Sequence, residues 1–398
     1  MQKKILSTLF KRFEGEPFAV TYSDGRTETY GSYSKKKPLV KIIIKEKLPV
    51  TEMLLEPEVR FGEAYMDGKI DFEGDLRDLY RLLLRNELVV KKDIKEEGLI
   101  QGFLRRQRNT TGLQQVEKVQ HHYDLGNDFF ELWLDKTMSY SCGYFRTPVD
   151  TLEQAQLQKI DHTLRKLQLK EGETLLDIGS GWGWLIIRAA KEYGVKSLGI
   201  TLSKEQEEET KNRILREGLD DKVQVRLMDF RDLAKMGYKF DKIVSIGMFE
   251  HVGKENIGEY FTAIDGMLEP GGLSLLHTIT HPKETPFNPW MEKYIFPWGY
   301  IPSLRETIWE LPEHSFHLLD LESLRIHYAM TTDHWARNFE AVQGQVEAKY
   351  GEKFVRMWRL YLIGCVISFL YCDLDVHQLL FSKGLNNNLP LTREYIYT

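Results

Sequence analysis

The stretch LLDIGSGWGW, Leu175 to Trp184, constrains the fold of this chain more than any other. An apolar run carrying Asp177 passes directly into Gly179, Gly181 and Gly183, and the following WLIIRAAKEYG has helical periodicity. A strand that hands over to a helix through glycines belongs to a doubly wound α/β sheet, where missing Cβ atoms let the backbone turn tightly and approach a ligand. The G-x-G-x-G spacing narrows the reading. A dinucleotide loop would need glycine at 184, where Trp184 stands, and an acid ending the second strand, which here ends Ile200-Thr201-Leu202-Ser203.

From Thr151 onward the pattern alternates. A helix, LEQAQLQKIDHTLRKLQL, precedes the strand TLLDIG, and the strands KSLGITL, VQVRLMDF, FDKIVSIGMFE and LSLLHTIT follow, with helices between most of them. That order predicts a parallel, Rossmann-like doubly wound sheet of class α/β. Pro270-Gly271-Gly272 reads as the turn into the fifth strand. Residues 1–90 mix short alternating stretches with turn signals at Asp24-Gly25, Asp67-Gly68 and Glu73-Gly74, as a small α+β domain would. Residues 91–119 read as a charged linker with a basic cluster at Arg105, Arg106 and Arg108, and 120–398 as the cofactor-dependent domain.

A net charge of −5 over 398 residues argues against a general nucleic-acid binder. Three cysteines without regular spacing indicate a reducing, cytoplasmic setting and no disulfide framework. The basic N-terminus lacks the apolar core and cleavage site of a signal peptide. The apolar run Met357 to Cys372 is interrupted by Arg359 and reads as a buried helix, too short to span a bilayer.

The acids of the sheet sit elsewhere than in a dinucleotide binder: Asp177 lies in the first strand and Asp229 closes the third. This placement looks like the S-adenosylmethionine methyltransferase pattern, in which the first acid holds the loop and the methionine end and the second contacts the adenine amino group. Further candidates should converge at the same strand ends: Glu250 and His251 in MFEHVG, His277 in LLHTIT, Tyr328 in HYAMTTDHWARNFE, and Cys365. Upstream lies HYDLGNDFFELWLDKTMSYSCGYF, with seven aromatic residues and Cys142.

These motifs, with GEAYMDGKIDFEG, GITLSKEQ, FPWGYIPS and RMWRLYLIGC, run in order from about residue 60 to the end, and in them the chain resembles the cyclopropane-fatty-acyl-phospholipid synthase family, relatives of the mycolic acid cyclopropane synthases. Ser180 departs from the cysteine often found in that loop. The resemblance implies that S-adenosylmethionine is contacted by Tyr123, Ser139, Tyr140, Ser141, Asp177, Gly179, Gly181, Trp182, Gly183, Thr201, Leu202, Ser203, Gln206, Asp229 and Phe230. It implies a bicarbonate held by Cys142, Glu250, His277, Tyr328 and the backbone of Ile279, and no metal. Cys365 matches a position assigned in the family as a nucleophile, but an apolar helix would raise its thiol pKa.

The implied reaction explains the residue types. An isolated C=C is a weak nucleophile and needs a sulfonium methyl donor. The resulting cation must be shielded from water, which aromatic walls do while their faces stabilise positive charge. A base must then take a proton from the new methyl group so that the ring closes. Residues 286–304, PFNPWMEKYIFPWGYIPSL, have the Trp and Tyr content of a segment that meets lipid headgroups, or of a loop covering the site. Arg105, Arg106 and Arg108 would add attraction to anionic lipid. The partners expected are unsaturated membrane phospholipids and a second copy of the chain in a homodimer, with the N-terminal domain serving lipid handling or dimerisation. A methyltransferase acting on another lipid or an amine, and a lipid-binding protein with a vestigial cofactor domain, are the competing readings.

Overall fold

The computed structural model describes residues 2–31, 37–86, 125–297 and 299–397. Tyr123, the basic cluster at Arg105, Arg106 and Arg108, and the expected 91–119 linker lie outside the described residues. The chain divides into two compact units.

The first unit carries a four-stranded sheet of β1 (Phe18–Thr21), β2 (Thr27–Tyr30), β3 (Lys41–Ile44) and β4 (Ile70–Glu73), in the order β2-β1-β3-β4. The Asp24-Gly25 signal does close the β1–β2 hairpin, with Gly25 at φ +80° and Tyr22 N–H donating to Arg26 C=O at 2.9 Å. Membership of this unit is not set by sequence position. Residues 288–295 and 339–371 belong to it, because the Glu352–Tyr371 helix packs its apolar side against the helices Pro57–Met66 and Leu76–Arg85. Its arginines are satisfied there: Arg356 donates to Tyr65 C=O at 3.2 Å and Arg359 to the Tyr65 hydroxyl at 3.1 Å. Among the described residues this 20-residue helix is the one long and apolar enough to cross a membrane, longer than the Met357–Cys372 run suggested.

The second unit is the expected doubly wound sheet, with two strands more than the sequence pattern revealed. It contains β5 (Thr174–Ile178), β6 (Lys196–Thr201), β7 (Val223–Leu227), β8 (Phe240–Ile246), β9 (Leu268–Thr280), β10 (Phe316–Ser323) and β11 (Asp375–Lys383), in the order β10-β11-β9-β8-β5-β6-β7. Strands β5 to β9 are parallel, but β11 runs antiparallel to both β9 and β10, so the sheet is mixed. The alternation of strands and helices could not announce β11, which returns after two long helices and needs no crossover. Pro270-Gly271-Gly272, expected as a turn, lies within β9. A Cβ on Gly272 would stand 2.7 Å from Asp241 C=O, so only glycine lets the strands approach here.

From β5 the chain winds outward through β6 to β7, then crosses to β8 on the other side of β5. Ligands bind at such a reversal, outside the carboxyl ends of the strands. Leu176, Ile178, Ile200, Ile243 and Leu276 are buried with Phe261, Ile264 and Phe381 in one apolar cluster, and Leu175, Val225, Val244 and Leu275 with Ile160, Leu164 and Ile186 in another. The two faces of the sheet are therefore both covered.

Candidate active site

The glycine loop between β5 and the Trp184–Tyr193 helix shapes one wall of a cleft at this reversal. Its three glycines have distinct reasons to be glycine. Gly179 (φ +83°) backs onto Met248, whose Cβ would lie 2.8 Å from an added Cβ, and Gly183 (φ +80°) onto Thr210 Cγ2 at 2.3 Å. Gly181 (φ +53°) would point a Cβ into open space, so its backbone is available to a ligand. Gly183 does not line the cleft itself; it caps the helix that starts there.

Ser139, Tyr140, Ser141, Asp177, Gly179, Gly181, Trp182, Thr201, Leu202, Ser203, Gln206, Asp229 and Phe230 all line this one cleft. Thr201 Oγ1 donates to Gln206 Oε1 at 2.6 Å, and Ser203 caps the Lys204–Arg216 helix through the Gln206 N–H, so the edge after β6 is fixed by its own side chains. Asp229 lies just past β7 as the cap of the Phe230–Lys235 helix. Its carboxylate accepts from Arg231 N–H, Nε and Nη2, each at 2.8 Å. Asp177 is buried, and burial pushes its carboxyl up to about 7 against the opposing pull of Lys159.

The upstream aromatic stretch borders the cleft. Phe130 lies 5.4 Å from Tyr140 and 6.0 Å from Trp182, while Tyr140 lies 5.1 Å from Trp335, which meets Tyr328 at 5.9 Å. Phe129, Phe130, Trp133 and Trp335 are fully buried. The short helix Asn127–Phe130 is tied to the glycine loop by Trp182 Nε1 donating to Asn127 Oδ1 at 3.0 Å.

The Glu250 group is assembled by strand register. Glu250 sits in the turn Phe249–His251 after β8 and accepts from the Ile279 N–H of β9 at 2.7 Å through Oε1. Its other oxygen, Oε2, is buried without a hydrogen-bond partner among the described residues. Burial pushes this carboxyl above the usual range. His277 pairs across the sheet with Gln378 of β11, whose Nε2 donates to Nδ1 at 3.2 Å. That leaves the ring proton on Nε2 in this arrangement. Burial, helped by the Lys159 and Lys166 charges, holds His277 down at about 3, so it is a neutral imidazole.

Cys142 Sγ donates to Gly143 C=O at 3.2 Å and lies 3.9 Å from Leu324 C=O, the carbonyl that also accepts from Tyr328 N–H. Leu324 N–H donates to Val376 C=O at 2.7 Å, and Val376 pairs with Ile279. A chain of contacts therefore runs from the Cys142 thiol and Tyr328 N–H through the Leu324 and Val376 backbone to Ile279 and the Glu250 carboxyl. Burial pushes the Cys142 thiol far up, so it keeps its proton.

Two expectations need adjusting. The Ile279 N–H is already engaged by Glu250, so it positions that carboxyl rather than donating to a separate anion. Cys365 belongs to the other unit, on the Glu352–Tyr371 helix, and does not line the cleft; burial pushes its thiol up to about 12, which suits no nucleophile. The sequence reading also missed residues that the structure brings in. Gln156 and Lys159, on the Leu152–Leu167 helix, reach the 139–141 segment: Gln156 Nε2 donates to Ser141 C=O at 2.9 Å and Lys159 Nζ to Ser141 Oγ at 3.0 Å. Their i, i+3 spacing, polar residues on an otherwise apolar face, was the available signal.

Comparison with known proteins places the chain in a family. The profile of the family described as mycolic acid cyclopropane synthetase matches residues 110–379, and that of a domain of unknown function matches residues 5–95. The cyclopropane-fatty-acyl-phospholipid synthase of Escherichia coli (strain K12) is 40% identical over 349 residues, covering 86% of this chain and 87% of its own. Cyclopropane mycolic acid synthase 1 of Mycobacterium tuberculosis is 38% identical over 279 residues, 67% of this chain and 96% of its own. The structure of the mycolic acid cyclopropane synthase CmaA1 complexed with SAH and CTAB superposes with a TM-score of 0.63 at 35% identity, covering 67% of this chain and 98% of that one. The chain therefore belongs to the mycolic acid cyclopropane synthetase family, and its second unit has the fold of an S-adenosylmethionine-dependent methyltransferase.

Proposed function

We propose that the protein transfers a methylene group from S-adenosylmethionine to the cis double bond of an unsaturated acyl chain in a membrane phospholipid, forming a cyclopropane. The observation that carries this reading is a cofactor-type cleft bordered by buried aromatic rings, beside a buried Glu250 carboxyl oxygen that has no hydrogen-bond partner among the described residues. S-adenosylmethionine supplies the electrophilic methyl group. Asp229 offers carboxylate oxygens to the adenine end, and the Gly181 backbone permits close approach at the loop. Tyr140, Trp182 and their ring neighbours exclude water while positive charge resides on the acyl chain, and their faces lower its energy.

Ring closure needs a proton acceptor in a dry pocket. Glu250, His277, Cys142 and Tyr328 fit a bicarbonate. The neutral imidazole keeps its Nε2 proton to donate, the buried Cys142 stays an uncharged thiol, and the raised Glu250 carboxyl can be protonated, so Oε2 can donate to an anion instead of repelling it. A bicarbonate held there would supply the base. His277, Cys142 and Tyr328 orient it, and Glu250, through its ionisable Oε2, passes on the proton that the bicarbonate takes from the new methyl group. Substrate is met at the membrane surface, for which the aromatic content of 286–304 is the support.

The test is incubation with labelled S-adenosylmethionine and vesicles of cis-unsaturated phospholipid, followed by analysis of fatty methyl esters. A gain of one CH2 with loss of the double bond is the expected product. A gain of CH2 without ring closure, or no product, would refute the reading.

A further inference from the structure

A buried ammonium lines the cleft without an ion-pair partner among the described residues. Lys159 is 4% exposed, yet among the described residues it forms no ion pair, and its hydrogen bond is to an uncharged partner, Ser141 Oγ at 3.0 Å. Asp135, Asp177 and Cys142 face it electrostatically, without any of them closing an ion pair. A cation desolvated without a counter-charge is costly, and such groups persist where a ligand brings the missing charge. Burial accordingly pushes this ammonium down to about 8 despite the pull of Asp135. The side chain lines the cleft alongside Ser141 and Asp177.

Its hydrogen bond fixes a direction. An ammonium can only donate, so Ser141 Oγ must accept, and the hydroxyl proton is turned away from Lys159 and left to donate. Gln156, one turn earlier, holds the Ser139 and Ser141 carbonyls at 3.3 and 2.9 Å, so the segment cannot drift from the lysine. An ammonium and an oriented hydroxyl side by side form a receptor for a carboxylate.

We propose that Lys159, acting with the Ser141 hydroxyl, binds the amino-acid carboxylate of S-adenosylmethionine and thereby sets the position of the methyl donor in the cleft. The inference rests on the cofactor reading above and adds the residue that supplies the positive charge. It also accounts for the spacing on the helix: Gln156 fixes the backbone and Lys159 the charge, from one face.

The test compares two nucleosides that differ in the amino-acid end. S-adenosylhomocysteine has the carboxylate; 5′-methylthioadenosine lacks it. Calorimetry on the full chain should show Lys159→Gln weakening S-adenosylhomocysteine about 10- to 100-fold while 5′-methylthioadenosine changes less than about threefold. Lys159→Arg should restore most of the difference, and Ser141→Ala should weaken S-adenosylhomocysteine alone. Unchanged affinity for S-adenosylhomocysteine in Lys159→Gln overturns the proposal. So does an equal loss for both nucleosides, the signature of a merely structural role. So does turnover of Lys159→Gln rescued by added bicarbonate at unchanged S-adenosylhomocysteine affinity, which would assign the charge to the other anion. Wild-type protein that binds neither nucleoside overturns the cofactor reading itself, a result distinct from all of these.

Discussion

Replacing Glu250 by glutamine separates what this residue does for structure from what it does for chemistry. The Oε1 contact with Ile279 N–H, at 2.7 Å, is a hydrogen bond to a carboxyl group worth about 1.5–3 kcal/mol when charged. Glutamine keeps an amide oxygen there, at roughly half that strength, so Glu250→Gln should lose only about 1 kcal/mol of stability. Glu250→Ala loses the whole bond and leaves a void. What glutamine cannot reproduce is the ionisable Oε2: the amide in its place still donates to an anion but can neither take up nor pass on a proton. Loss of a positioned proton-transfer partner costs about 100- to 10,000-fold in rate, or about 3 to 5 kcal/mol of barrier. The assay is turnover on unsaturated phospholipid vesicles beside S-adenosylhomocysteine affinity, which should hold because Glu250 does not line the cofactor cleft. The pH dependence of stability has a definite sign. A carboxyl whose folded pKa is raised contributes stability that is full below its unfolded pKa and is lost as pH rises through the folded one. Wild type should therefore lose stability relative to Glu250→Gln as pH increases. Turnover of Glu250→Gln within about threefold of wild type would refute the reasoning.

Other consequences are as direct. Lys166 is fully buried between Asp320 at 2.9 Å and Glu322 at 2.6 Å. Burial would raise Glu322, but the His162 hydrogen bond and the Lys166 charge overcome it and hold the carboxyl at about 2. Its contribution, about 3 kcal/mol, is present above pH ~4.5 and lost as pH falls toward 2; Lys166→Met should lose about 3 kcal/mol in urea melts at pH 7 and unfold at higher pH than wild type on acid titration. Gly181→Ala, strained by its φ but sterically free, should cost about 1 kcal/mol. Gly183→Ala should cost more, because Thr210 Cγ2 must move, and Thr210→Ser in the same chain should recover part of it; equal melting of the two glycine variants would contradict this. Cys365→Ala should turn over within about twofold of wild type, and a hundredfold loss would restore the cysteine as a reacting group.

The parts of the fold that could be read early are those where one local rule decides the structure. Strands β5 to β9 are short apolar runs punctuated by glycine or by a capping residue such as Ser203 or Asp229, and their helices carry 3.6-residue periodicity. β10 and β11 obey no such local rule. β10 is an edge strand whose burial alternates irregularly, and β11 is placed by pairing with residues a hundred positions earlier. The assignment of 339–371 to the first unit has the same character: an apolar helix declares that it is buried, and only the packing says against what.

The site divides along a similar line. Glycines, aromatic residues and strand-end acids announce themselves because few positions tolerate them without cause. Lys159 does not, since a lysine in an amphipathic helix is by default a solvated one. Its neighbours in sequence, Gln156 and Lys166, are polar too, and all three are buried on the same helix. Each is satisfied differently. Gln156 binds backbone carbonyls, Lys166 binds two carboxylates, and Lys159 meets a hydroxyl in the lining of the cleft. Only the third arrangement leaves a charge without an ion pair among the described residues. A buried polar residue is uninformative as a type and becomes informative through its partners. The helix that precedes the glycine loop therefore does two jobs: Lys166 stabilises the fold by an internal ion pair, and Lys159, seven residues earlier, leaves the equivalent bond for the cofactor to complete.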